Sequence, residues 1–128
     1  MLYAIEEDGH LKEITEVPHR EKFARWMRTL QANHPGAYEE IRERLLDHFD
    51  GRQVETSSFI PGQAWSNTVF QPIYEVCGEE WEQAGFFFGL IVWATLMEHE
   101  AAWSFGKYLT DENIFGMTYF RIDNPEHG

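Results

Sequence analysis

The run AGFFFGLIVWATLM occupies residues 84–97 and decides how the rest of the chain has to fold. Its 14 residues carry no charge, and acids bound it: Glu79, Glu80 and Glu82 before it, Glu98 and Glu100 after it. A helix that crosses a bilayer needs about 20 apolar residues, and acids at both ends oppose insertion. The run therefore reads as a core helix, with the three leading acids favouring its N-terminus through the backbone dipole. A helix that is apolar on nearly every face must be covered on every face. The cover is either the rest of the domain or a second copy of the chain, packed against the face around Phe86 and Trp93. Gly85 and Gly89, one turn apart, leave room for another backbone to approach closely. Helical character reads on past Trp103 and Phe105 toward Tyr108, with residues 110–113 as a polar connection.

The candidates to cover this helix lie upstream. After Pro18, residues 19–33 place Phe23, Trp26, Met27 and Leu30 at i, i+3, i+4 and i+7, which is one helical face. Arg20, Lys22, Arg25 and Arg28 occupy the rest of that helix. Pro35 and Gly36 stop it, because proline biases the preceding residue away from helix. A second helix over residues 37–49 turns Tyr38, Ile41, Leu45 and Phe49 inward, with Gly51 as its stop. Two helices joined by so short a break form an antiparallel pair.

The two ends of the chain read as strands. Residues 2–5 and 11–15 flank Asp8-Gly9, a turn pair whose glycine accepts positive φ. Residues 117–122 alternate, with Thr118, Phe120 and Ile122 on one face. A lone hairpin is marginal, so the C-terminal strand is the expected partner of the N-terminal hairpin. The fold class that follows is α+β: a small antiparallel sheet (hairpin plus C-terminal strand), a helical hairpin and a central buried apolar helix. At 128 residues this makes one compact domain, residues 1–128. Between residues 52 and 71 the pattern is irregular, apart from a brief strand within 54–60. Pro72 then opens a short helix that ends near Cys77.

Composition excludes several functions. The chain has 22 acids against 10 bases, a formal charge of −12, and 20 aromatic residues. Direct nucleic-acid binding is disfavoured, since that affinity comes from cationic side chains displacing counterions. One cysteine permits no disulfide framework, and with no signal segment at the N-terminus the expected setting is cytoplasmic. Phosphate-binding loops, dinucleotide fingerprints, the serine elbow and the zinc-helix motif are all missing. Glu16 and His19 have di-iron spacing, but Pro18 breaks the helix they would need.

Two clusters remain. Glu98, His99 and Glu100 resemble ligands, yet on a helix consecutive residues point about 100° apart and do not converge on one ion. Asp47, His48 and Asp50 resemble a carboxylate–imidazole pair, but an imidazolium is favoured at a helix C-terminus without any catalysis. Cys77, just ahead of Glu79 and Glu80, has its thiolate disfavoured. No catalytic residue, metal or cofactor is expected. The rival expectation is a small metal-dependent or hydrolytic enzyme built on His48, His99 or Glu98.

The remaining signal is a surface. No Lys or Arg occurs from residue 53 to residue 106, a span that carries seven acids. Trp65 and Phe70 sit among Gly, Ser and Asn, a composition that suits adaptable recognition; the same aromatics also suit a loop folded back over the core. The expected docking residues are Trp65, Phe70, Glu75, Glu79, Glu80 and Glu82. The expected partner is a protein with a basic surface, and no membrane is involved. In type, without a residue-level motif, this profile is similar to that of inhibitor, immunity and antirestriction proteins, some of which act as nucleic-acid mimics.

Overall fold

A computed structural model describes residues 1–6, 8–51, 54–56, 68–105 and 118–122. The chain is α+β, as its sequence implies. Its elements run β1 (Tyr3–Ile5), β2 (Leu11–Glu13), α1 (Arg20–Asn33), α2 (Ala37–Phe49), β3 (Val54–Thr56), α3 (Gln71–Val76), α4 (Trp81–Glu98), β4 (Trp103–Phe105) and β5 (Thr118–Arg121).

The apolar run is the centre of the molecule. Phe87, Phe88, Leu90, Ile91, Val92 and Leu96 of α4 are fully buried. The chain itself supplies the cover, from α1, α2 and α3. Of the two covers open to the sequence, the domain's own elements are in place, and Phe86 remains only partly buried. The rings pack on one another: Phe87 meets Phe23 edge to face at 6.1 Å, and Trp93 lies 4.8 Å from Phe105 in a tilted arrangement. Thr95, the polar residue in the run, returns its hydroxyl to the Ile91 carbonyl at 2.8 Å, so its burial leaves no unpaired donor.

The helical hairpin forms where the periodicity puts it. Leu30, Ile41, Leu45 and Phe49 are fully buried. The turn between α1 and α2 depends on Gly36 at φ 84°, a left-handed conformation that costs glycine little. The short helix likewise opens with Pro72 in its first turn and gives way at Cys77.

The strands pair differently from the expectation. β1 and β2 form a two-stranded antiparallel hairpin, with Gly9 at φ 88° in its turn. β5, however, pairs with β3 and β4 in a separate three-stranded antiparallel sheet. The hairpin reaches β4 by a parallel bridge between Leu2 and Trp103, supported by the Ser104 hydroxyl donating to the Tyr3 carbonyl at 2.8 Å.

This correction has one cause, the end of α4. Helix does not continue past Trp103; it stops at Glu98, and His99 is extended (φ −64°, ψ 142°). Glu98 and Glu100 sit at the negative end of the helix dipole with no basic residue in the last turn, which disfavours another turn. The released segment becomes β4, and β4 is the strand that β5 needs. Among the described residues, no helix is long and apolar enough to cross a membrane.

Candidate functional site

The expected docking acids gather where α3 passes into α4. Gly78 N–H donates to the Glu75 carbonyl (3.1 Å) and Glu79 N–H to the Tyr74 carbonyl (2.9 Å), the paired bonds of a Schellman cap. Gly78 (φ 69°) and Glu79 (φ 59°) are both left-handed, so the chain turns sharply and Glu80 becomes the N-cap of α4. Glu75, Glu79, Glu80 and Glu82 are all exposed. Glu75 is partly occupied: it pairs with His34 Nε2 at 3.1 Å and accepts from Gln71 Nε2 at 3.2 Å.

Among the described residues, the exposed aromatic on this corner is not one the sequence pointed to. Phe70 is only 6% exposed and stands edge-on to Phe88, so it belongs to the core and offers no ring to a partner. Trp65 lies outside the described residues. The exposed ring is Trp81, the first residue of α4, at 49%. It precedes the apolar run by three positions, in a helical turn where the core has not yet closed. Its position between Glu80 and Glu82 was the available signal, masked by the reading of those residues as a helix start.

Cys77 beneath this corner is buried, and its thiol is pushed up to about 12, first by burial and then by Glu80. It is therefore a packing residue rather than a nucleophile. Cationic charge also reaches this corner, because Lys22 of α1 acts on Cys77 against the shift. His19, Arg20, Glu21, Lys22 and Arg25 line a hollow of 400 Å³ at the start of α1. There Lys22 holds its ammonium 5.3 Å from the Trp26 ring and 5.0 Å from the Phe86 ring.

At its other end α4 forms a cleft with the end of α2. The cleft has a volume of 490 Å³ and is lined by Glu43, Leu46, Asp47 and Asp50 from one side and Glu98, His99 and Glu100 from the other. Asp47 and Asp50 of one sequence cluster thus share a cleft with Glu98, His99 and Glu100 of the other, while His48 is not among its lining residues. They meet because α4 ends at Glu98, leaving the next two residues free of helical geometry. Both helices point their C-terminal, partly negative ends toward it. Arg42 Nε donates to Glu98 Oε2 at 2.5 Å, linking α2 to α4, and this bond keeps the guanidinium firmly charged.

His99 is 7% exposed and packs its ring against Trp103 at 5.9 Å. Burial lowers its pKa, and the Met1 amino group and Arg121 lower it further. Its Nδ1 accepts the Ala101 N–H at 3.0 Å. The neutral ring therefore carries its proton on Nε2. His48, one residue before the end of α2, meets Phe49 edge-on at 5.8 Å. Among the described residues no three His, Cys, Asp or Glu side chains are arranged to hold a metal ion.

No protein-family model, curated protein or solved structure matches the chain.

Proposed function

We propose that this protein is a binding module that inhibits or regulates a partner protein with a basic surface. The observation that carries the reading is Trp81, half exposed and flanked by exposed carboxylates, in a stretch of sequence (residues 53–106) that contains no Lys or Arg. Interface energy concentrates in a few aromatic anchors, and tryptophan is the most enriched of them. Around such an anchor, carboxylates steer a cationic partner and reject anionic ones. In this reading Trp81 is the anchor, Glu79, Glu80 and Glu82 supply the field, and Glu75 stands at the rim. A partner whose basic surface is a nucleic-acid groove makes the protein a mimic of that nucleic acid. The single buried thiol suits a cytoplasmic setting.

The test is electrostatic. The immobilised protein, exposed to extract from its source cells, should retain a basic protein at about 0.05 M salt and release it by about 0.5 M. Retention that is indifferent to salt, or retention of acidic proteins alone, rejects the reading.

A further inference from the structure

We propose that the exposed face of α1 and the Trp81 corner together form one contact surface for a second copy of this chain, related to the first by a two-fold axis. The contact does not depend on the basic partner proposed above, although the two compete for the Trp81 ring.

The first observation is how charge divides across this surface. On α1, Arg20, Arg25 and Arg28 are exposed. Arg20 shares Glu16 at 3.5 Å, and Arg25 and Arg28 have no ion pair among the described residues. The Trp81 corner carries the opposite sign on Glu79, Glu80 and Glu82. The two patches adjoin, since Lys22 and Glu80 both act on the Cys77 thiol.

The second observation is the seam between them. Phe86 is only partly buried, although residues 87–93 behind it are closed. Its ring lies 6.0 Å from Trp26 and 4.9 Å from His19, with the Lys22 ammonium 5.0 Å away. Glu82 stands one helical turn ahead of Phe86 on α4, so acid, ring and base are neighbours. An aromatic centre with a charged rim is the anatomy of a protein interface.

The arrangement chooses the occupant. An acidic or a basic partner answers one half of this surface, whereas a second copy answers both. Rotation about the Phe86 seam lays the acidic half of each copy on the basic half of the other, so every contact is made twice. Trp81 of one copy then meets the 400 Å³ hollow of its partner, where Arg20 and Arg25 can stack on the indole. Glu79 and Glu82 reach the same guanidinium groups. The charge of −12 on each copy opposes the approach, but at distances that salt screens. The paired charges lie within the Debye length of about 8 Å at about 0.15 M salt.

The experiment is sedimentation equilibrium of the full chain at about 0.15 M salt. The wild type should show a reversible monomer–dimer equilibrium with a Kd on the order of 10–100 µM. Two charge reversals at exposed positions, Arg20→Glu with Arg25→Glu and, separately, Glu79→Lys with Glu82→Lys, should each weaken it by about tenfold or more. Mixed in equal amounts, the two variants should recover a mixed dimer, because both reversed contacts are then matched. Circular dichroism checks that each variant is folded, and the single changes Arg25→Glu and Glu82→Lys form a milder pair for the same test. A wild type that stays monomeric, a dimer indifferent to both reversals, or a mixture that stays monomeric each overturns the proposal. The Arg20→Glu, Arg25→Glu variant keeps the Trp81 corner intact, so it should still capture a basic protein from extract. Absence of capture by wild type and this variant alike counts against the partner reading and leaves the dimer standing.

Discussion

The ring of Phe70 stands edge-on to that of Phe88 with centroids 5.3 Å apart and planes 83° apart, which places Phe70 in the core at the N-cap of α3. Truncating a buried phenylalanine removes apolar burial and leaves a cavity, at about 3–5 kcal/mol. Phe70→Ala should therefore lower the stability measured by urea denaturation by about that amount. The fraction that remains folded should bind a partner as the wild type does. A variant of unchanged stability would move Phe70 back to the surface.

Tyr119 is fully buried in the three-stranded sheet, and its hydroxyl has no hydrogen-bond partner among the described residues. Removing an unsatisfied buried polar atom relieves a desolvation cost of about 1–3 kcal/mol. Tyr119→Phe should leave the melting temperature unchanged or raise it, measured by calorimetry. A clear loss of stability would show that the hydroxyl is satisfied in the folded protein.

His99 links stability to pH. Its folded pKa lies below the ordinary 6.5, so between those two values the unfolded chain binds the proton that the folded chain refuses. Stability should fall as pH drops through about 6.5 and level off below the folded pKa. Other groups titrate too, so the informative quantity is the difference in unfolding free energy between wild type and His99→Asn. That difference should shrink on going from neutral pH to mildly acidic pH. A constant difference would mean that His99 titrates normally.

The helical part of the fold was legible because 13 or 14 residues span several turns, enough for the spacing of Phe23, Trp26, Met27 and Leu30, or of Ile41, Leu45 and Phe49, to stand out. The buried α4 was legible from hydropathy alone. β4 was not, since three residues contain too little alternation to compete with the helical reading of Trp103 and Phe105. Losing β4 misassigned β5 as well, because strand partnership is a long-range property that a local pattern does not encode.

The exposure of the proposed docking residues was only partly legible. Glu75, Glu79, Glu80 and Glu82 are exposed, as their charge requires. Phe70 and Trp81 have similar local settings, yet the packing of α3 on α4 buries Phe70 and leaves Trp81 half exposed. The cleft needed tertiary structure altogether, since Asp47 and His99 are 52 positions apart in the chain.

The central claim, that Trp81 anchors a basic partner, is tested most directly by substituting it. Trp81→Ala should change the unfolding free energy by less than about 1 kcal/mol, because the ring is half exposed. The same variant should weaken capture of the salt-released partner by about tenfold or more, as loss of an interface anchor does. Undiminished capture by a folded Trp81→Ala protein would contradict the account.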